Sequence, residues 1–348
     1  MTVPDTAHRL RSIPICTCPA QPGAARERRH AGQAGAALLM AMLTVALVAS
    51  LAAGALWQQW RSVEIETAER ARVQSLWVLT GAQDWARLIL REDARTGGAD
   101  YLAEPWAVPL EEARLSTFLA TDKSSASDND DSATQAFLSG LINDLQARLN
   151  VTNLVDNNKI SQPSLQAFTK LFELLSLPPT ELTALADNLR LALDTSAESD
   201  VAQRAPLLPQ RVDQLVWLGL SAHSLDVLRP YITLLPVRTP VNLNTASATV
   251  LYACIPSLDM ALAQRMVSTR QTAHFRTLAD AAELVGKTAT PLNEAEHSVG
   301  TRFFEVQGRL RLGQSVVEEH SVVQRDGLNV KTLWRDRGNY GPQNSPLQ

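Results

Sequence analysis

The sequence predicts an α+β protein: a long N-terminal helix comes first, followed by strands, a large all-α segment and closing strands. An uncharged apolar run from Ala36 to Trp57 continues without proline into residues with helical spacing. Apolar and polar residues alternate near Phe137–Val155 and again after Thr301, which is typical of strands. Between these regions, proline-bounded segments have helical periodicity.

The apolar run is long enough to cross a membrane. Its 22 residues, Ala36–Trp57, extend about 33 Å as a helix, against a hydrocarbon core of about 30 Å. Trp57 and Trp60 stand where interfacial aromatic residues are expected. The basic cluster at positions 26–30 precedes the run, which predicts a cytoplasmic N-terminus and a C-terminal part on the other side of the membrane.

Three interpretations of this run are open. It is a permanent single-pass anchor, a secretory signal cleaved near the small residues 49–55, or a prepilin-type segment cut after Gly35, before the apolar residues. Secretory apolar regions are usually about 7–15 residues, and this run is longer. A prepilin-type leader would comprise residues 1–35 and leave Ala36 as the mature N-terminus.

The residues after Trp60 favour the prepilin interpretation. Arg61–Arg95 contains no proline and one glycine, Gly81, so the apolar run and this segment predict one continuous helix of about sixty residues. Helices of this length and polarity gradient are typical of type IV pilin-like subunits. One mostly apolar stripe is traced by Val73, Leu76, Trp77, Thr80, Asp84 and Leu88, and a charged face by Glu64, Glu66, Glu69, Arg70 and Arg72.

Composition argues against nucleic-acid binding and against a disulfide. The formal charge is −4, and removal of residues 1–35, with five arginines and two acids, makes it −7. An acidic protein is poorly suited to neutralise phosphates. Cys16 and Cys18 lie in the same early stretch, so a trimmed chain keeps Cys254 alone, which we predict to be a core residue.

The segment Val241–Gly286 predicts a helix–hairpin–helix-like module. Thr245 would cap a helix beginning at Ala246, and Leu258–Arg270 would form the second helix. Such modules bind the DNA backbone, but Ile255-Pro256-Ser257 replaces the glycine hairpin here. Basic residues are also few in Val241–Thr290: Arg265, Arg270, Arg276 and Lys287, against Asp259, Asp280 and Glu283.

No catalytic motif is present. The histidines at positions 8, 30, 223, 274, 297 and 320 are scattered, and the metalloprotease, C-x-x-C, nucleophile-elbow and phosphate-loop patterns are all missing. His223 and His274 are interpreted as surface or helix-end residues. The acidic stretch Thr121–Ser132 faintly resembles a calcium loop, but Ala133 stands at its glycine and Ser139 at its bidentate glutamate, so we predict a solvated loop.

Several stretches, in this order and spacing, resemble the minor pseudopilin K family of type II secretion systems (general secretion pathway protein K). They are "GAALLMAMLTVALVASLAAGAL", "AERARVQSLWVLTGAQDWA", "DLQARLNVTNLV", "LRPYITLLP" with "TPVNLNTASATVLYA", and "FFEVQGRL". The resemblance extends from Gly35 to about Arg337.

The resemblance implies a type IV pilin-like fold, with the long helix on a small antiparallel sheet and a large inserted all-α domain containing a helix–hairpin–helix or SAM-like module. The strands near Leu141–Leu154 and Phe303–Leu333 would be two halves of one sheet. The expected parts are a leader (1–35), a transmembrane helix (36–57), an amphipathic helix (58–95), pilin-like parts (96–155 and 291–338), the helical domain (156–290) and a flexible tail (339–348).

The implied function is structural rather than enzymatic. Members of the family are processed and methylated by the prepilin peptidase. They anchor by a single span in the inner membrane with a periplasmic C-terminal domain, and they initiate and cap the pseudopilus that exports folded proteins. The implied partners are the other minor pseudopilins (the I, J and H components), the major pseudopilin and the inner-membrane secretion platform, with no nucleic acid.

Met40 makes the resemblance sharper. If cleavage follows Gly35, Met40 is the fifth residue of the mature chain, where most pilin-like subunits have a glutamate that pairs with a neighbour's N-terminal amine. A carboxylate in lipid is costly without that amine. Members of family K also lack this glutamate, which suits a subunit that has no neighbour above it.

The sequence departs from the family in two respects, and two other functions stay open. The first is the length of the leader. The second is the calcium-binding pattern of the family, which is reduced here to Asp194, Glu198, Asp200 and Asp213, with Gln214 at a glutamate position. We therefore expect that no cofactor is required, and calcium binding is doubtful. The alternatives are a membrane-anchored periplasmic DNA-binding protein, and a minor pilin of a type IV pilus, which neighbouring genes would distinguish.

Overall fold

The computed structural model describes residues 34–114, 136–194, 205–286, 292–312 and 315–338. The chain divides into two compact units, Met1–Thr67 and Ala68–Gln348. Several features predicted from the sequence lie outside the described residues: the leader up to residue 33, the acidic loop Thr121–Ser132, the calcium candidates Glu198 and Asp200, and the tail at 339–348.

Helix α1 (Ala34–Thr96) accounts for the described residues of the first unit and continues into the second. Its 63 residues confirm the predicted continuous helix. Polar side chains in the apolar run bond within the helix, as Thr44 Oγ1 does with the Ala41 carbonyl at 2.9 Å. The helix ends at Gly97, which has a left-handed φ of 65° and donates its N–H to the Asp93 carbonyl.

In the second unit, α1 packs on a five-stranded antiparallel sheet whose neighbouring strands follow chain order. The alternating residues that begin at Phe137 and those that follow Thr301 therefore pair in one sheet, as predicted. The strands are β1 (Leu110–Arg114), β2 (Ala136–Asp144), β3 (Phe303–Leu312), β4 (Ser315–Asp326) and β5 (Asn329–Gly338).

A pair of glycines lets α1 approach the middle of the sheet closely. Gly140 of β2 lies opposite Gly308 of β3. A Cβ atom at Gly308 would lie 3.3 Å from Leu79 Cδ2, so Leu79 needs the space that glycine leaves. Around this point α1 contributes Ala86 and Leu90 to the core.

The predicted strand region near Leu141–Leu154 leaves the sheet earlier than expected, because β2 ends at Asp144. The Asp144 carboxylate accepts a hydrogen bond from Gln146 N and starts a 3₁₀ turn, Leu145–Ala147. The Asn150 amide oxygen does the same for Val151–Leu154 by accepting from Thr152 N. Side-chain acceptors of this kind compete with strand pairing.

The helical part lies in the chain between β2 and β3 and has its own core, in which Phe168, Leu185 and Leu215 are buried. Its α-helices are α2 (Gln162–Leu174), α3 (Pro179–Leu193), α4 (Ala222–Leu228), α5 (Ala248–Cys254), α6 (Met260–Thr272) and α7 (Leu278–Val285). A 3₁₀ helix covers Val212–Leu218, and two-residue strands pair Leu149–Asn150 with Ile232–Thr233, Val155–Asp156 with Lys159–Ile160, and Val241–Asn242 with His297–Ser298.

The helix starts in the predicted hairpin module differ from the prediction. Helix α5 begins at Ala248, capped by Ser247, because Thr245 donates its hydroxyl to Asp144 instead of capping. Helix α6 begins at Met260, and the Asp259 carboxylate caps it by accepting from Leu262 N at 2.7 Å.

The sequence between Arg211 and Pro230 is one of the proline-bounded segments with helical periodicity, which predicts a helix up to Pro230, but it does not form one helix. It breaks at Gly219, which has a φ of 103°, a conformation that ends a helix.

Candidate functional site

Helix α1 has two faces in the second unit, and its own sheet covers one of them. The buried positions are Ser75, Leu79, Gln83, Ala86 and Leu90. The stripe traced from the sequence lies opposite: Val73 is 49% exposed, Trp77 73% and Leu88 49%. We call Val73, Trp77 and Leu88 the outer stripe.

The sequence pattern identifies the outer stripe as the apolar face of α1, because the face that packs on the sheet contains polar residues. Gln83 is 2% exposed, accepts from Ser321 Oγ at 2.5 Å and donates to the Val306 carbonyl at 3.5 Å. Ser75, also buried, donates to the Ala71 carbonyl. Because strands far along the chain satisfy Gln83, a polar residue occupies the packed face at low cost.

The outer stripe is a candidate assembly surface. Large apolar side chains that repeat along one face of a helix and stay exposed among the described residues are typical of a protein interface. Gly81 lies one turn beyond Trp77, and an added Cβ there would meet nothing within 4 Å. The stripe therefore offers a large aromatic side chain one turn from a residue without a side chain, and a second helix could pack closely there.

The apolar run is the second candidate surface. Gly35–Thr96 is long and apolar enough to span a membrane, judged by length and composition alone. Its large apolar side chains, from Leu38 to Trp60, are 57–68% exposed. Gly35, Ala36 and Met40 lie at its start, all exposed, and Met40 points away from the helix like its neighbours.

Of the calcium candidates, Asp194 and Asp213 lie among the described residues, and Asp213 has a partner within the chain. Asp213 accepts from Arg229 Nη1 at 2.5 Å, and its side chain is 64% exposed. Gln214 Oε1 accepts from the backbone N–H groups of Gln210 and Arg211, so it caps the 3₁₀ helix. In the part of the chain that the structure describes, Asp93, Asp100 and Glu104 form a group of three acids whose carboxylate oxygens lie within 4.8 Å of one another.

The helical part joins the sheet through a buried polar junction, which we define as Asp144, Asn242, Thr245 and Thr301. Asp144 Oδ2 accepts from Asn242 Nδ2 at 2.9 Å and from Thr245 Oγ1 at 2.6 Å, and Oδ1 accepts from Thr301 Oγ1 at 2.6 Å. Burial is the main effect on the carboxyl group and raises its pKa above the ordinary value. Sequence reasoning missed this junction because its members are far apart in the chain.

The hairpin between α5 and α6 is occupied from within the chain. Lys170 Nζ donates to the carbonyl groups of Ile255, Pro256 and Leu258 at 2.9, 3.3 and 3.4 Å. Arg270, one of the few basic residues of the segment, is buried and donates to the Leu243 carbonyl. Lys170 and Arg270 therefore do not offer their charges to phosphate groups, which argues against DNA binding by this module.

The isolated thiol and the two singled-out histidines show no catalytic arrangement among the described residues. Cys254 is buried in the helical core, as predicted, and burial raises its pKa to about 12, so it stays a thiol. His223 is exposed near the start of α4. The His274 ring stacks on Tyr101, with centroids 3.7 Å apart.

Comparison with known proteins decides the family. Two family models described as "Type II secretion system (T2SS), protein K" match residues 147–237 and 241–301. The chain is 28% identical over 334 residues to the type II secretion system protein K of Pseudomonas aeruginosa, covering 89% of this chain and 94% of that protein. The chain belongs to the type II secretion system protein K family.

Other members are similar over nearly their whole length. The protein K of Klebsiella pneumoniae is 27% identical over 335 residues, which cover 88% of this chain and 97% of that protein. The structure is also similar to a chain of the crystallised GspK-GspI-GspJ complex from enterotoxigenic Escherichia coli, with TM-score 0.60 and 18% identity, covering 78% of this chain and 99% of that one. This likeness supports the α+β fold, with the long helix on an antiparallel sheet.

Family membership sets the class of function. The chain is a minor pseudopilin of type II secretion, a structural subunit and not an enzyme. Family membership favours a secretion-system subunit over the DNA-binding protein and over the minor pilin of a type IV pilus. Its long apolar N-terminal helix agrees with a pseudopilin.

Proposed function

We propose that this protein is the tip subunit of the pseudopilus, where it helps to initiate the fibre and caps it for the export of folded proteins. The observation that carries the proposal is Met40. It lies in an apolar helix with its side chain 68% exposed, and it presents no carboxylate to an N-terminal amine above it. An uncharged residue at this depth avoids the free-energy cost of an unpaired carboxylate in lipid.

The apolar run serves first as an inner-membrane anchor and later as the stem within the fibre. The prepilin peptidase would cut between Gly35 and Ala36 on the cytoplasmic side, and residues after Trp60 would lie in the periplasm. The exposed apolar side chains of the run support both uses, since lipid and neighbouring apolar helices are alternative covers for them.

Substitution of Gly35 by valine is expected to block processing, because a branched side chain would occupy the cleavage site of the peptidase. Mass spectrometry of the membrane-extracted wild-type protein should find an N-terminus at Ala36, methylated, and G35V should keep the leader. Gly54→Val, within the same helix, is the matched control and should be processed normally. A wild-type N-terminus at Met1 or after Ala55 would contradict the proposal.

The proposed partners are the I and J minor pseudopilins, followed by the H component, the major pseudopilin and the secretion platform. The similar Escherichia coli chain was crystallised in a complex with GspI and GspJ. The outer stripe supports the same kind of assembly here, because Trp77 is 73% exposed on a helix whose opposite face is already packed. Its natural occupant is the N-terminal helix of another pseudopilin.

Trp77→Asp is expected to weaken assembly with the I and J subunits without unfolding the protein. Loss of a central aromatic contact in an interface typically costs about 2 kcal/mol or more, which is roughly a 30-fold loss of affinity. Titration of the purified chain with an I–J complex measures the effect, and thermal unfolding monitors the fold.

The matched control for this experiment is Trp217→Asp, which alters a tryptophan that is 47% exposed in the helical part. Its affinity should stay near the wild-type value. Equal affinities of W77D and wild type, with W77D folded, would show that the outer stripe is not the assembly surface.

The helical part would serve as the exposed end of the tip. We assign α5, α6 and their Ile255–Ser257 turn as a helix–hairpin–helix-like module in which the ammonium group of Lys170 takes the place of an external ligand. The limits 156–290 for this domain stay a prediction, as does calcium binding by Asp194, Glu198, Asp200 and Asp213.

A further inference from the structure

A group of carboxylates lies where α1 ends. Asp93 belongs to the last turn of α1, and Asp100 and Glu104 to the loop that follows. One oxygen of each lies within 4.8 Å of the others. They line an open cavity of about 370 Å³ together with residues that precede β3 and residues at the end of β4.

The positive charges of this cavity are already paired. Arg325, from β4, binds Asp93 and Asp100, with 2.5 Å between Nη2 and Asp100 Oδ1. Arg302, which precedes β3, is paired with Asp326. Among the described residues that line the cavity there is no further cation, so Glu104 is a third carboxyl group beside two that share one guanidinium.

Glu104 also organises the loop. Its Oε2 atom accepts from Trp106 Nε1 at 2.7 Å and from Tyr101 N at 2.9 Å. Trp106 is 1% exposed and meets the Phe304 ring edge to face, with centroids 5.1 Å apart. Tyr101 stacks on His274 of the helical part. One carboxyl group therefore connects the end of α1, the core under it and the helical part.

We propose that Asp93, Asp100 and Glu104 form a proton-operated latch: a proton on Glu104 keeps the loop 97–106 closed on α1, and loss of that proton to solvent loosens it. In the protonated form Glu104 adds no charge beside the two aspartates, and Trp106 and Tyr101 donate to its Oε2 atom. In the ionised form a third negative charge faces Asp93 and Asp100 with no cation of its own. Because burial disfavours this charge and the two aspartates repel it, Glu104 moves towards solvent, and Trp106 and Tyr101, whose N–H groups stay bonded to its Oε2 atom, move with it away from Phe304 and His274.

The pH range of the latch follows from the surroundings of Glu104. Burial raises its pKa, the neighbouring Asp93 and Asp100 add to the rise against the two hydrogen bonds, and the resulting pKa is about 7. The folded chain therefore keeps the proton at pH values where the unfolded chain, with an ordinary value of 4.5, has lost it. Stability from this group is present at low pH and is lost as the pH rises through about 7.

The test is the indole N–H signal of Trp106 in the full chain, labelled with ¹⁵N-tryptophan in detergent micelles and assigned with Trp106→Phe. Between about pH 5.5 and 8.5 the signal should move with a midpoint near 7, while those of Trp217 and Trp334 stay in place. Glu104→Gln, which is neutral and of the same size, should hold the low-pH position throughout. The midpoint of thermal unfolding should fall more steeply with rising pH in wild type than in E104Q.

Other outcomes would overturn the latch. They are a Trp106 signal that does not move, a midpoint below pH 5.5, or a transition that persists in E104Q. If E104Q does not fold, Asp93→Asn provides the second variant and should lower the midpoint by removing one neighbouring charge. A Trp106 signal that responds to about 1 mM calcium equally at pH 6 and pH 8 would identify the cluster as a cation site instead. The latch does not depend on the tip position proposed above.

Discussion

Asp144→Ala is expected to lower the free energy of unfolding by about 3–5 kcal/mol and to loosen the helical part from the sheet. The substitution removes the acceptor of three side-chain donors, from Asn242, Thr245 and Thr301, and of the Gln146 backbone N–H. Each buried donor left unpaired costs about 1–3 kcal/mol, reduced where a hydroxyl group can rotate. Urea unfolding of the full chain in detergent measures the loss.

Two further variants make this prediction specific. Asp144→Asn keeps the shape and one acceptor oxygen, so its loss should lie between those of wild type and D144A. Asp226→Ala, in which the altered side chain is 74% exposed, should change stability by less than about 0.5 kcal/mol. A D144A protein within about 1 kcal/mol of wild type would mean that the junction does not hold the two parts together.

Arg325→Met is expected to cost about 3–5 kcal/mol at neutral pH, because it leaves Asp93 and Asp100 as buried charges without a partner. The guanidinium group lowers the pKa of Asp100 against the larger rise caused by burial, and its loss raises that pKa further. At low pH both aspartates bind protons, so the difference from wild type should shrink as the pH falls towards about 4. Denaturant unfolding at two pH values checks both statements.

Arg302→Met is the matched control for this experiment. Arg302 also pairs with an aspartate, Asp326, but its side chain is 59% exposed, and exposed pairs contribute about 0–1 kcal/mol. Arg325→Lys should recover part of the loss, since one ammonium group cannot bridge two carboxylates as a guanidinium does. Equal losses in R325M and R302M would contradict the assigned role of Arg325.

Much of the architecture could be predicted from local pattern. The absence of proline between Ala36 and Arg95 predicts the long helix, and alternation after Thr301 predicts the closing strands. The burial of Cys254 follows from its apolar neighbours. These properties depend on residues a few positions apart, whose preferences act within one helix or strand.

The start of a helix was harder to predict where the capping side chain could also hydrogen-bond to a distant residue. Thr245 has the chemistry of an N-cap, but its hydroxyl donates to Asp144, 101 positions away, and Ser247 caps α5 instead. The alternating pattern predicts that the strand continues past Asp144, but Asp144 is the last residue of β2. Local sequence does not show whether the Thr245 hydroxyl caps a helix or bonds to Asp144, because folding alone brings Asp144 close to it.

Helix α1 separates what the sequence determines from what the tertiary structure determines. Residue spacing alone establishes that α1 is a long helix, that its first part is apolar all round and that position 40 is uncharged. Which side of α1 packs on the sheet is decided by tertiary structure: Gly308 leaves room for Leu79, and Ser321 and the Val306 carbonyl satisfy Gln83. A buried polar side chain is stable only where distant partners hydrogen-bond to it, and these partners leave the apolar outer stripe on the exposed side of α1 among the described residues.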